Sequence, residues 1–272
     1  MSNSAHSEML VSSDLPPMPA HANYFHPNMT FGIAMAGFST SINIFNYYNS
    51  VMMGAITDDL AAIAEVAFYD FCGKKRFMHR ERLEPYGSLH LDLRTCLIRS
   101  NCTAETYGTL LCRLIPEVLP PDFSGKPISS EFIVELSSPS GAKSFVHNVG
   151  CPVYGPNRET MASDQVFSDE YACSRYLIFM NNYYGPKIPF LSHGRAFVKI
   201  TNHRGENISS WSRKIPAQGT HLFSFKEHFP QLQEFLDGRV GTIYIETYNL
   251  VRKPLVWVTS PDSDDTIAID HF

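Results

Sequence analysis

From Phe31 onward the chain is a succession of short apolar runs broken by Gly, Pro, Asn and Ser. Runs of this length and spacing predict strands separated by tight turns. In the first half they fall at Phe31–Ala36, Ile42–Tyr48, Glu65–Asp70, Ser88–Leu93, Thr109–Ile115, Phe132–Leu136 and Ser144–Val149. They resume at Tyr176–Asn181, Ala196–Thr201, Ile208–Lys214, Thr220–Phe225, Thr242–Thr247, Leu255–Thr259 and Thr266–Ile269. Helix is scarce, with one short piece at Pro230–Leu236 stopped by Gly238. Leu60, Ile63, Ala64, Ala67 and Phe68 carry a helical spacing behind Thr57-Asp58-Asp59. The expectation is nevertheless a loop or helical turn followed by a strand at Glu65–Asp70.

That choice rests on an internal alignment. The segment from Ala64 to Leu93 matches the segment from Ala196 to Phe225 at a constant offset of 132, without a gap. Gly73 then falls on Gly205, Gly87 on Gly219 and the Leu83 anchor on Ile215. Only four of the 30 aligned residues are identical, so the likeness lies in the order of elements and turn glycines. Asn46-Tyr47-Tyr48 is paired upstream with Asn182-Tyr183-Tyr184, and Phe132–Val149 downstream with Ile243–Ser260. An antiparallel sheet with one apolar face must bury it against another sheet. The expected fold is therefore mainly β, two tandem antiparallel β-sandwich modules related by internal duplication. Residues 1–22 form a flexible tail and 23–150 the first module, with an insertion near 94–130. Residues 151–170 are the linker and 171–272 the second module.

Composition narrows the partners. A net charge of −5 and a pI near 6.1 argue against nucleic acid, whose binding proteins are basic. The N-terminus lacks a basic and apolar export signal, and no apolar stretch is long enough for a membrane span. The expected location is cytoplasmic. The six cysteines, Cys72, Cys96, Cys102, Cys112, Cys151 and Cys173, include no Cys-x-x-Cys, so free thiols are expected.

The second half also resembles the sensory rhodopsin transducer type of β-sandwich. The matching residues are Asn182, Ala196-Phe197-Val198-Lys199-Ile200, Pro216-Ala217-Gln218-Gly219-Thr220, and Thr242–Ile245 followed by Pro254-Leu255-Val256. The resemblance covers roughly Tyr176–Ile269 and, more weakly, Ile42–Val149. It implies a module that oligomerises and acts by binding, with a fold similar to carbohydrate-binding sandwiches, hence a homo-oligomer.

No nucleophile elbow, phosphate loop, zinc-protease or dinucleotide fingerprint occurs. His21 with His26, His221 with His228, and Asp270-His271 beside Asp262, Asp264 and Asp265 are the titratable groupings. Each reads first as ordinary structure or solvated tail, and a divalent metal is the alternative to no cofactor at all. Glu135 and Glu246 are assigned matching, solvent-facing positions in the two modules. The Asn-Tyr-Tyr strand ends offer an outward ring beside an amide, the pairing that recognises sugars, or else tyrosines that cap the core. Trp257 is expected in the core, and Trp211, between Ser210 and Ser212, at the surface or an interface. The candidate ligand-binding residues are thus Asn46, Tyr48, Asn182, Tyr184 and Trp211. The reading is a non-enzymatic binding protein for a carbohydrate-like ligand or a protein partner. The alternative is an enzyme with a His/carboxylate site, with or without metal, in the groove between the modules.

Overall fold

A computed structural model describes residues 15–48, 60–119, 128–129, 132–147, 158–168, 175–181, 183, 193–251, 254–260 and 263–271. The first half is built from β2 (Asn28–Ala34), β3 (Ser39–Phe45), β4 (Ala62–Asp70), β5 (Lys75–Leu83) and β6 (Ser88–Asp92). Helix α1 (Leu93–Arg99) and strands β7 (Thr106–Pro116), β9 (Ile133–Ser137) and β10 (Lys143–Val146) complete it. A two-residue parallel pairing joins β1 (Phe25–His26) to β8 (Ile128–Ser129). The second half contains β11 (Arg158–Ser168), β12 (Arg175–Met180), β13 (His193–Thr201), β14 (Asn207–Trp211), β15 (Ile215–Pro216) and β16 (Thr220–Ser224). After α2 (Phe225–His228) and α3 (Leu232–Leu236) come β17 (Val240–Tyr248), β18 (Leu255–Ser260) and β19 (Ser263–His271).

Each half holds two four-stranded antiparallel sheets on a main path, and the strand orders correspond. The first half gives β2-β7-β4-β5 and β10-β9-β3-β6; the second gives β11-β17-β13-β14 and β19-β18-β12-β16. Turn chemistry recurs as well. The Asp70 carboxylate accepts from the amides of Cys72 and Lys74, and the Asn202 side-chain oxygen accepts from Arg204 and Glu206 in the same turn. Gly73 and Gly205, 132 residues apart, take φ of 77° and 78°. Asp92 caps α1 by accepting from Thr95, and Ser224 caps α2 by accepting from Glu227.

Strand β4 shows why the helical spacing misleads. Ala62, Ala64, Val66 and Phe68 face the opposing sheet, while Ile63 and Ala67 are buried on the other side. A strand covered on both faces reads as a continuous apolar run and loses its alternation. Thr57-Asp58-Asp59 lies outside the described residues.

Four expectations about organisation need correction. The stretch 151–170 is not merely a linker, because Arg158–Ser168 is β11, paired with β17. The supposed insertion near 94–130 contains α1 and β7, and β7 sits between β2 and β4 in its sheet. The counterpart of β17 is therefore β7, not the strand at Phe132–Leu136. By register Glu246 lies opposite Phe197 and Arg113 lies opposite Glu65, so Glu246 corresponds to Arg113 and not to Glu135. The end of the expected tail is also folded: Ala22 donates to the Pro19 carbonyl, and His21 Nε2 lies 2.7 Å from the Pro116 carbonyl.

The halves share an apolar contact. Along β12, Leu177 and Phe179 enter the second core, while Ile178 and Met180 join the first. Trp257 packs on Phe31, Phe38 and Tyr176 at centroid distances of 6.4, 5.2 and 5.1 Å. Thr109 and Thr220 hydroxyls meet at 2.8 Å, and Ser144 Oγ bonds the Ile269 backbone. The outer face of sheet β19-β18-β12-β16 thus covers part of the outer face of sheet β2-β7-β4-β5. In place of a groove the described contact carries a packed apolar layer.

Candidate functional site

The part of the β2-β7-β4-β5 outer face left open by that contact is polar. Glu65 on β4 is flanked across the ladder by Arg80 on β5 and Arg113 on β7, each guanidinium 2.6 Å from one carboxylate oxygen. Arg113 Nε is buried and has no hydrogen-bond partner among the described residues. Beside this triad a cleft of about 520 Å³ is lined by Lys75, Met78, Leu111 and, from the N-terminal segment, Asn23, Phe25 and His26.

The same register positions in the second half carry different chemistry. Phe197 stands where Glu65 does, Trp211 where Arg80 does and Glu246 where Arg113 does. Trp211 is 42% exposed and lies 5.0 Å from the Phe197 ring and 6.2 Å from Tyr248. The Arg195 guanidinium sits 4.7 Å from the Trp211 ring centre. The Tyr248 hydroxyl donates to the Glu246 carboxylate, and Lys199 lies 5.0 Å over Tyr244. Alternation puts all seven side chains on the outer face, since Ala196, Val198, Ile200, Ile243 and Ile245 fill the inner one. The result is an aromatic shelf whose Phe197 and Tyr248 rings tilt 52° and 31° from the indole, with a guanidinium over Trp211, an ammonium over Tyr244 and a carboxylate beside them.

Of the residues singled out from sequence, Trp211 lies on this shelf. Asn46 and Tyr48 are buried parts of the fold. The Asn46 amide donates to the carbonyls of Leu60 and Glu84, and the Tyr48 hydroxyl donates to the Leu114 carbonyl at 2.6 Å. Burial pushes the Tyr48 hydroxyl pKa up, so it stays a donor. Asn182 and Tyr184 lie outside the described residues, and the structural counterpart of Asn46 is the preceding residue. Asn181 donates to the Ile215 carbonyl and accepts from the Tyr183 amide, repeating Asn46 with Leu83 and Tyr48. The sequence pairing was one residue out of register, because the doubled Asn-Asn offered two alignments. Of the shelf, the sequence by itself marks Trp211. Strand register alone brings Phe197 and Glu246 beside it, and no local motif encodes register.

Among the described residues the histidines do not gather with other ligands into a group that could hold a metal ion. His21 and His26 belong to the N-terminal segment of the first half, and the side chains of Asp264, Asp265, Asp270 and His271 lie outside those described. His221 and His228 meet at the β14–β16 edge of the second core, ring centres 6.1 Å apart. His228 stacks 3.8 Å from Phe223 and holds the Ser210 hydroxyl at 2.8 Å through Nδ1. His221 Nε2 is buried without a hydrogen-bond partner among the described residues. Burial first, then the charges of Arg213 and His228, lowers the His221 pKa from 6.5 to about 4.

Because the folded pKa lies below the unfolded one, the fold favours neutral His221. Its contribution is complete above pH 6.5 and is lost as pH falls from there toward about 4. The loss attributable to this group is at most about 3 kcal/mol. Urea unfolding of the native chain and a His221→Gln variant at pH 7 and pH 4.5 checks it. The native chain should lose more stability than the variant over that interval; parallel losses would show that His221 is not the group responsible.

Among the described residues no helix is long and apolar enough to cross a membrane. The thiols of Cys72, Cys96, Cys102 and Cys112 are free; Cys151 and Cys173 lie outside the described residues. No protein-family model matches the chain, and no curated protein matches it. Among solved structures, a β-glucuronidase of Parabacteroides merdae, crystallised with glycerol in its active site, aligns at 11% identity with a TM-score of 0.19. The alignment spans 91% of this chain and 28% of the enzyme chain, a likeness too low to bear on fold or chemistry.

Proposed function

We propose that this chain is a non-enzymatic binding protein whose second sandwich presents the Trp211 shelf to a carbohydrate-like ligand. The observation that carries the reading is an indole 42% exposed within a group of rings, with Arg195 over it and the Glu246–Tyr248 pair beside it. A pyranose offers apolar C–H faces to stack on such rings and equatorial hydroxyls for a carboxylate and a guanidinium to bond. Trp, Tyr and Arg are also the residues enriched at protein interfaces, so a protein partner is the second reading. A cytoplasmic setting fits the four free thiols. The hydrogen bonds repeated 132 residues apart, at Asp70 and Asn202, support descent of both halves from one duplicated module.

A glycan array probed with the native chain and with Trp211→Ala tests it. The native chain should retain one class of oligosaccharide, and the variant should bind it at least about tenfold more weakly. The variant should lose less than about 1 kcal/mol of stability, as at other exposed positions. A silent array, or equal retention by both chains, rejects the carbohydrate reading; an unfolded variant makes Trp211 a structural residue.

A further inference from the structure

We infer that copies of this chain stack head to tail, repeating between molecules the contact that joins the two halves within one. Internally, the outer face of β19-β18-β12-β16 lies on the outer face of β2-β7-β4-β5 (the contact holding Trp257). Each of these sheets has a counterpart of the same strand order in the other half, and the counterparts carry large apolar side chains that are exposed. Sheet β10-β9-β3-β6 corresponds to β19-β18-β12-β16, and sheet β11-β17-β13-β14 corresponds to β2-β7-β4-β5.

Register makes the correspondence residue by residue. Phe45 pairs with Ser88 as Met180 pairs with Thr220, so Phe45 holds the Met180 position. Ile133 pairs with Asn43 as Leu255 pairs with Ile178, and Phe145 pairs with Glu135 as Ile269 pairs with Trp257. Met180, Leu255 and Ile269 are buried in the internal contact. Phe45, Ile133 and Phe145 are 54%, 45% and 62% exposed. Large apolar side chains thus occupy, uncovered, three positions that the other half buries.

The opposite face answers in kind. Tyr107 and Thr109 on β7 are the residues that meet Leu222, Arg213 and Thr220 internally. Their register counterparts on β17 are Val240 and Thr242, and Val240 is 49% exposed. Two positions central to the internal contact are polar on the open face: Asn43 stands at the place of Ile178, and Glu135 at that of Trp257. The intermolecular contact is therefore weaker than the internal one and reversible. Six strand positions, about 20 Å, separate Val240 from Glu246 on β17. The Trp211 shelf stays open in such a stack, as the Glu65–Arg113 cleft stays open beside the internal contact. Because the two surfaces differ, the contact is heterologous and propagates into a ring or an open filament.

Sedimentation velocity of the full chain over a concentration series tests the inference. The native chain should form a ladder of species growing with concentration. Phe45→Glu, Phe145→Glu and Val240→Glu alter exposed positions, and circular dichroism should report native folding for each. Every one alone should be monomeric over the same series. A mixture of Phe145→Glu with Val240→Glu should give a one-to-one dimer and nothing larger, since each retains the face the other has lost. A native chain monomeric at every concentration overturns the inference. So does a dimer formed by a single-face variant alone, or a mixture that fails to associate. Glycan retention by Val240→Glu, and self-association by Trp211→Ala, keep this outcome separate from that of the shelf.

Discussion

Gly73→Ala should destabilise the chain by on the order of 3–5 kcal/mol, whereas Gly205→Ala should cost only about 1–2 kcal/mol. The two glycines occupy the same position of the same turn, with φ of 77° and 78°. Both alanines would pay for a left-handed backbone, so that term cancels in the comparison. The surroundings differ. A Cβ on Gly205 meets nothing within 4 Å, whereas one on Gly73 would run into the Ala217 carbonyl oxygen and come within 3.3 Å of the Gly219 amide. Those are backbone atoms of the other half's β15–β16 turn, which already bonds this loop through the Thr220 amide and the Phe71 carbonyl at 3.2 Å. Neither side can yield by turning a rotamer, and the halves would have to part locally. Urea midpoints for the pair, read with unchanged slopes, decide the matter. Equal losses would mean that the first turn is not seated on the second half.

Trp257→Ala should lose roughly 3–5 kcal/mol, the cost of an unfilled aromatic cavity. The indole is 5% exposed and is the side chain through which Phe31 and Phe38 of the first half meet Tyr176 of the second. Its Nε1 is buried without a hydrogen-bond partner among the described residues. An orphaned donor of that kind costs about 1–3 kcal/mol, so Trp257→Phe should recover much of the deficit despite its smaller ring. The alanine variant should also broaden or split a single unfolding transition, because the lost contact couples the two cores. Calorimetry of both variants checks this. A phenylalanine variant no better than alanine would show that the indole donor is satisfied in solution.

Much of the fold could be read from local patterns. Turn glycines at Gly73, Gly87, Gly205 and Gly219, with apolar runs between them, located most of the strands. The failures have one cause. Strand β11 contains Thr160, Ser163, Asp164 and Gln165 among its apolar residues, and such a segment announces itself only through its partner β17. Strand β7 is legible as the apolar run Thr109–Ile115, but matching Phe132–Val149 with Ile243–Ser260 places it, with α1, in an insertion. The Asn46 and Tyr48 pair was recognised as recurring, but recurrence could not distinguish a surface motif from a buried brace.

What the sequence determined by itself is the mainly β class and the run of short strands and tight turns, since period-two alternation and positive-φ glycines are properties of a few neighbouring residues. It also placed Trp211 at the surface, between serines on a polar strand. Tertiary structure decided which faces are covered. Leu177 and Ile178 are equally apolar neighbours, yet one enters the second core and the other the first. Phe45 and Met180 share a register position, yet one is open and the other is packed against the opposite half. Burial depends on what lies across the face some ten ångströms away, and that neighbour comes from chain distant in sequence, beyond the reach of any local pattern.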